Sequence, residues 1–525
     1  MNGVGVHGWT SPESVDQSVD TVPAVVRETH TAYVVMVGDV VFKAKKPVRT
    51  AFLDFSTAGK RRAACLREVD LNRRLSPDVY LGVAELTDPQ GGPAEALVKM
   101  RRMPDSRRLA SMVVRGEDPT EPLNAVARLL TGFHQRCHRG RDIDHDATRD
   151  AVAARWRENV DEAAGYGDGT LLPGVEVDEV RFRACRYLAG RRELFDERIE
   201  LGRIVDGHGD LLADDIFCLP DGPRILDCLD FDDRLRHLDV IDDAACLAMD
   251  LEFLGRADLA ETFLARVRAE SGDDPPPSLI HHFIAYRAFM RAKVSCLRHT
   301  QGAADARADA HGHVRLALRH LRAGSVRLAL VGGLPGTGKS TLSRALAERT
   351  GAVVIASDHV RKELAGVDAG VSCGADYGRG LYTEARTDGT YAELLRRATR
   401  LLSRGRSVVL DASWTDPRLC AWAAAAADRT HSDLIEIECA APRSVAVERI
   451  GHRPPGGVSD ATSEVYDALA ARYRHRVSAT LIDTTADLPA ATDAALALWG
   501  ETGERPQPAP SVQADEAVSA PGSPP

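Results

Sequence analysis

No stretch of this sequence approaches the roughly 18–20 consecutive apolar residues that a membrane helix needs. The longest candidate, "CAWAAAAAD" (420–428), is short and Ala-rich and predicts a helix. No Lys/Arg-led apolar segment opens the chain, which predicts no secretory signal and, with the missing spans, a cytoplasmic protein. An excess of positive charge is also lacking. With 67 Lys+Arg against 77 Asp+Glu the net charge is −10, so no global basic field draws nucleic acid or an anionic membrane surface. Neither is an expected partner. Paired cysteines are missing as well: the 10 cysteines, at 65, 137, 185, 218, 228, 246, 296, 373, 420 and 439, include no CxxC. They read as reduced thiols packed as small hydrophobes, with no ligand spacing for zinc. No internal repeat is visible.

What remains is an ordinary globular composition, 44% hydrophobic and 27% charged, spread over 525 residues. That length predicts roughly three or four structural units. From Thr31 to Lys46, "TAYVVMVGDVVFKAKK" reads as two β-rich runs around Gly38-Asp39, a hairpin signal. "GKRRAACLREVDLNRRL" (59–75) follows with helical spacing, then the strand-like "EALVKMRRMPD" (95–105). Residues 121–200 and the stretch from about 236 to 321 read as helices, separated by short strands flanking His208–Asp227. A new pattern begins at "VRLALVGG" (326–333). With "AVVIASD" (352–358), "SVVLDAS" (407–413) and "LIEIECAA" (434–441) it makes β-rich runs alternating with helices, which predicts a parallel α/β sheet. The expected domains are a flexible start (1–20), a first domain (21–322, its small lobe reaching to about 105), a second (325–500) and a Pro/Ser/Ala-rich disordered tail (501–525).

Gly333-Leu334-Pro335-Gly336-Thr337-Gly338-Lys339-Ser340 matches GxxxxGK[ST] and is followed by Thr341. Between a strand and a helix, such a loop turns backbone N–H groups toward phosphates and delivers them to a helix N-terminus. Lys339 would neutralise β/γ charge and Ser340 would ligate Mg²⁺. The second strand ends in "SDHVRKEL" (357–364), which places Asp358 where substrates approach an open α/β sheet. Asp358 would take the proton of an attacking hydroxyl. Arg361, one helical turn on, would grip an anionic acceptor.

This half resembles the kinase-type P-loop family, within the AAA family of ATPases, that includes zeta toxins, chloramphenicol phosphotransferase, gluconate kinase and polynucleotide kinases. The resemblance rests on the phosphate loop and "ASDHVRKELAG". It implies a base at Asp358 and a substrate contact at Arg361. "VVLDASW" resembles the family's second acidic strand and implies Asp411 near Mg²⁺. "ERIGHR" (448–453) sits where a lid helix would lie, so Arg449 and Arg453 would clamp phosphates.

The first domain carries a second constellation. His208-Gly209-Asp210 precedes Asp215 by a short step, and "RILD" (224–227) ends in Asp227. Such carboxylates can build one Mg²⁺–ATP site, with Asp210 taking the acceptor's proton and Asp215 and Asp227 holding metal. Lys43 on its strand and Glu68 on the following helix suit a pair that orients phosphates. Lys45 shares the strand face of Lys43 and is the second candidate. His208 reads as a stabiliser of the loop and His134 as a packed helix residue.

"VVFKAKK", "REVDLNRRL", "LLTGFHQ", "HGDLLADD" and "ILDCLDFDD", within roughly residues 30–250, resemble the aminoglycoside phosphotransferases, the small-molecule branch of the protein-kinase fold. The whole chain thus resembles a bacterial architecture of an aminoglycoside phosphotransferase-like half fused to a P-loop kinase half. The implied fold class is α/β and α+β: a bilobal protein-kinase-like domain followed by a P-loop NTPase domain with a parallel sheet. The sequence departs from the first family where Asp215 replaces the usual metal-binding Asn, beside a further acid at Asp214. The expected function is ATP- and Mg²⁺-dependent transfer of a phosphoryl group to an alcohol of a small molecule, the acceptor unnamed. Two rivals stand beside it. One is a regulatory ATPase with a non-catalytic ligand sensor in its first half; the other is a toxin-like kinase acting on a nucleotide-sugar or nucleic-acid end.

Overall fold

A computed structural model describes residues 24–29, 31–49, 54–87, 94–166, 171–368, 380–452, 462–471, 473, 476–485 and 487–501. The expected flexible start (1–20) lies outside them, as does the expected tail beyond Glu501. The backbone clusters into two units. The first runs to Glu117 and takes in Asp214–Asp233; the second holds Asp118–Ala213 and everything from Arg234.

The first unit is built on the predicted hairpin. Strands Ala32–Val37 and Val40–Lys45 pair antiparallel across Gly38-Asp39, with Gly38 at φ +56°, a conformation glycine takes without strain. Strands Ala24–Glu28, Tyr80–Leu86 and Glu95–Arg101 complete a five-stranded antiparallel sheet. The helix Ala58–Arg73, capped by the Thr57 hydroxyl, lays Cys65 and Val69 against Val79, Tyr80, Ala96 and Val98. That buried face also carries an acid, Glu68, which burial forces to find cations. The Asp214–Asp233 segment brings a short hairpin, Ile216–Leu219 with Gly222–Ile225. Ser76 Oγ binds both the N–H and the carbonyl of Ile225 and ties that hairpin down.

The second unit contains a helical region and a parallel sheet. The sheet order is Val353–Ala356, Val408–Asp411, Arg327–Gly332, Asp433–Ala440, Thr480–Asp483, parallel throughout. Arg327–Gly332 is buried at every position, as a central strand covered on both faces must be. Helices Lys339–Thr350 and Leu488–Glu501 help close the core around Val331, Leu342, Val409 and Ile437. Two sequence expectations shift. The second strand ends at Ala356, so Asp358 stands in the first turn of the helix Ser357–Leu364 rather than on a strand. The helical-looking stretch "VDEVRFRACRYLAGRRELFDERI" (177–199) splits into Gly174–Ala189 and Arg192–Glu200. At Gly190 a Cβ would overlap the Thr430 carbonyl, so the chain breaks where it meets the sheet region. No helix among the described residues is long and apolar enough to cross a membrane.

The long helix Pro277–Thr300 buries His282 against Tyr187, ring centroids 4.5 Å apart, and His282 Nε2 accepts the Trp156 indole N–H at 3.1 Å. Burial pushes this imidazole down to about 3. Its folded pKa is depressed below the unfolded value of about 6.5. Its contribution is therefore complete above that pH and is lost as pH falls toward the folded value. The stability of the protein is expected to drop by about 2 kcal/mol from this group between pH 7 and pH 5. Urea titrations of wild type and His282→Phe at both pH values check this: the variant should lose that much of the pH dependence.

Candidate functional site

The phosphate loop leaves the carboxyl end of Arg327–Gly332 and enters the helix Lys339–Thr350, with Gly338 as its cap at φ +84°. At Gly336, φ +78°, a Cβ would run into the Ala446 carbonyl. Only glycine lets the loop bend here and still pack. Thr337 Oγ1 donates to the Leu334 carbonyl at 2.8 Å, and Lys339 Nζ donates to the same oxygen at 2.9 Å. Pro335, Gly336, Gly338, Lys339, Ser340 and Thr341 line a cavity of about 1780 Å³.

The same cavity receives Asp358, Arg361, Asp411 and Arg449. Asp411 ends the strand Val408–Asp411 and is buried. Burial pushes its carboxyl above the ordinary range, while the Lys339 charge and a hydrogen bond from Ser340 pull against that rise. Hard cations take oxygen donors. The Ser340 hydroxyl and the buried Asp411 carboxylate, both on the cavity wall beside the loop lysine, are a donor set that could hold Mg²⁺. Arg361 Nη1 donates to Leu381 O (3.2 Å) and Thr387 Oγ1 (3.4 Å), and its guanidinium lies over the Tyr382 ring at 4.8 Å. Its Nε is buried without a hydrogen-bond partner. Arg449 Nη2 donates to Thr484 O at 2.8 Å. Its Nη1, also without a partner among the described residues, lies 3.6 Å from where a Gly338 Cβ would stand. Arg449 is therefore laid against the phosphate loop. Arg453 lies outside the described residues.

In the first unit, the Lys–Glu pair expected from sequence forms, and it is doubled. Lys43 Nζ meets Glu68 Oε1 at 3.0 Å and Asp227 Oδ1 at 2.9 Å. Lys45 Nζ, two residues along the strand, meets Glu68 Oε2 at 2.7 Å and Asp230 Oδ2 at 2.6 Å. Burial works against both ammonium groups. The facing carboxylates outweigh it and hold the protons more tightly than usual. Asp227 takes φ +60°, strained for a residue with a Cβ, and its N–H donates to Tyr80 Oη at 3.2 Å. Asp215 lies in this unit too, in the short turn Ala213–Asp215, and its carbonyl accepts from Leu226 N–H at 3.0 Å. Asp214 is an exposed neighbour of Arg108.

His208-Gly209-Asp210 lies in the second unit. Asp243, fully buried, accepts the backbone N–H of His208 (2.7 Å) and of Gly209 (2.8 Å), and a contact from His134 Nε2 (3.0 Å). Arg287 holds the Gly209 carbonyl and pairs with Asp242 at 2.7 Å. Asp210 is left half-exposed, with Arg291 Nη1 at 4.0 Å. Asp210 thus stands on a loop whose backbone is pinned from both sides.

Over 476 residues this chain is 50% identical to uncharacterized protein Rv2004c of Mycobacterium tuberculosis (strain ATCC 25618 / H37Rv), a match covering 90% of this chain and 95% of the relative. Uncharacterized protein Mb2027c of Mycobacterium bovis (strain ATCC BAA-935 / AF2122/97) matches to the same extent. The chain belongs to their family. In this family member residues 328–476 match the AAA domain, a span that holds most of the phosphate loop's surroundings, Asp358, Arg361, Asp411 and Arg449. Among solved structures, 58% of the chain is similar to a choline/ethanolamine kinase family protein from Mesorhizobium loti, at 14% identity, 94% of that chain and a TM-score of 0.34. A further similarity, covering 33% of this chain, is to a gluconokinase from Sinorhizobium meliloti 1021, at 21% identity, 90% of that chain and a TM-score of 0.24.

Sequence reasoning had no place for Asp243 or for His134 as its partner. An acidic stretch such as "DVIDDAACLAMDLE" ordinarily forms a solvated face or caps a helix. Asp239 does cap the helix Val240–Phe253, but Asp242 and Asp243 are buried within it. The available signal was the apolar run "AACLAM" directly after them, which marks a buried helix whose acids must be paired.

Proposed function

We propose that this chain is an ATP-dependent phosphotransferase whose P-loop half passes a phosphoryl group to a hydroxyl of a small molecule. One observation carries the reading: a single cavity gathers the phosphate loop, the Ser340–Asp411 pair, a carboxylate at Asp358 and the cations Arg361 and Arg449. In this reading the loop N–H groups and Lys339 hold the nucleotide's phosphates, with Arg449 closing on them. Arg361 orients the acceptor. Asp358 takes the hydroxyl proton as the acceptor oxygen bonds to the γ-phosphorus and the bond to the departing nucleoside diphosphate breaks. Mg²⁺, held by Ser340 and Asp411, would neutralise phosphate charge.

The first unit is proposed as a second nucleotide-binding element, on the strength of the Lys43–Glu68–Asp227 cluster. The limits 21–322 and 325–500 for the two domains belong to the same reading, as does a cytoplasmic location. Arg291 beside Asp210 supports an acceptor other than a polycation for the first half, since a guanidinium at the candidate base repels such a substrate.

Asp358→Asn tests the central role. Phosphoryl transfer is expected to fall by about 10² to 10⁴, the usual worth of a general base, with affinity for an ATP analogue within about threefold of wild type. Equal losses of transfer and affinity would remove Asp358 from the chemistry and make it a binding residue.

A further inference from the structure

A buried cation stands directly after the break at Gly190. The next residue, Arg191, is 1% exposed. Its Nη1 donates to the Gly190 carbonyl (2.8 Å) and the Thr430 carbonyl (2.6 Å), and its guanidinium carbon lies 5.4 Å from the Tyr187 ring centroid. Among the described residues no carboxylate pairs with it, and its buried Nε has no hydrogen-bond partner. Burial pushes this guanidinium down to about 10, a large concession for an arginine. A buried charge held by two carbonyls and a ring, with no paired carboxylate among the described residues, is costly and is relieved by a counter-ion.

Arg191 borders a cavity of about 550 Å³, separate from the phosphate-loop cavity and lying where the helices Gly174–Ala189 and Pro277–Thr300 meet the strand Asp433–Ala440. Arg186 reaches the same space, its Nη2 at 3.3 Å from Asp433 Oδ1 and 3.2 Å from the Ser432 carbonyl. Burial first, and then the charges of Arg186 and Arg191, make the His431 imidazole harder to protonate, with Asp428 opposing them. Of the acids on the wall, Asp433 is engaged by Arg186 and Glu436 by Arg476 at 2.7 Å, while Asp428 stands exposed. The rest of the lining includes apolar surface from Phe182, Leu321 and Leu498.

We propose that this cavity binds a small phosphate monoester with an apolar body, Arg191 and Arg186 supplying the anion's donors. Guanidinium forks suit oxyanions, and the three terminal oxygens of a monoester can serve two forks at once. The burial of Arg191 raises the value of a contact made to it. The apolar side of the cavity takes the ester group. The site uses none of the residues assigned above to phosphoryl transfer.

The test is calorimetric titration of the full chain with phenyl phosphate at constant ionic strength, on a Lys339→Ala background that removes anion binding by the phosphate loop. One saturable site is expected there, weakened at least tenfold by a further Arg191→Gln change. Absence of saturable binding in Lys339→Ala overturns the proposal. So does binding that Arg191→Gln leaves unchanged, which would belong elsewhere on the protein. Should Arg191→Gln fail to fold, Arg186→Gln decides, because its side chain is 35% exposed. The same weakening is expected, and unchanged affinity overturns the assignment.

Discussion

Lys339→Ala is expected to remove one nucleotide-binding site outright and to lower phosphoryl transfer through the P-loop half by about a thousandfold, on the scale of losing a principal charge-stabilising donor. Lys339 opens the helix Lys339–Thr350, so its ammonium adds a full charge to the partial positive charge of the helix end. The loop N–H groups remain in the variant, but they cannot match a unit charge against a triphosphate. A second loss follows from Asp411. Its carboxyl is already pushed up by burial, and Lys339 is the foremost influence holding it down. Without the lysine, Asp411 ionises less readily, and the donor set for Mg²⁺ weakens with it. The fold should survive, because the lysine's hydrogen bond is to a carbonyl of its own loop. Calorimetry with a non-hydrolysable Mg²⁺–ATP analogue reads the result as a site count. Two sites falling to one means the Lys43–Glu68 unit also holds nucleotide. One falling to none means it does not. An unchanged count would overturn the phosphate-loop assignment.

The parts of this molecule that were legible in the sequence are those in which local chemistry leaves little choice. Glycines at 333, 336 and 338 are demanded by the loop itself, and all three take positive φ. The Gly38-Asp39 turn and the alternation beyond it fix the hairpin, and with it the shared face of Lys43 and Lys45. Less legible were elements that burial alone defines. The edge strand Thr480–Asp483 buries little beyond Ile482, so it lacks the apolar signature of the central strands. Ala24–Glu28 is exposed at every position and left no such mark either. The break at Gly190 depends on the Thr430 carbonyl, 240 residues away in sequence, and no local pattern announces it. Glu68 was found as the partner of Lys43, but its division between two lysines required the geometry of Asp230, which loop sequence does not fix. Acids were the least legible, because a carboxylate on a solvated face and one buried beneath a loop share the same letter.

Asp243 is the clearest of these, and replacing it is expected to cost the protein about 3–5 kcal/mol, the usual consequence of breaking a fully buried charged contact. Three groups converge on its carboxylate: the N–H groups of His208 and Gly209, and the imidazole of His134. Burial pushes the carboxyl up. The two histidines and the backbone donors more than reverse this, leaving it below the usual carboxylate range. Because the folded pKa is depressed, the associated stability is fully present above the unfolded value of about 3.9 and is lost as pH falls through the folded value. Asp243→Ala leaves two backbone donors without acceptors in a dry interior. Asp243→Asn keeps the volume but turns an amide N–H₂ toward at least one of those donors, so it should recover only part of the loss. Urea unfolding at pH 7 measures the deficit. Repeating it between pH 5 and pH 3 measures the linkage, which should be steeper in wild type than in either variant. A loss below about 1 kcal/mol would mean that the clamp is not made in solution. The functional consequence lies one residue beyond it. Gly209 is held on its N–H side by Asp243 and on its carbonyl side by Arg287, and Asp210 follows directly. Releasing the N–H side frees the backbone that positions Asp210, so any transfer that uses Asp210 should fall in the Asn variant even at temperatures where that variant remains folded.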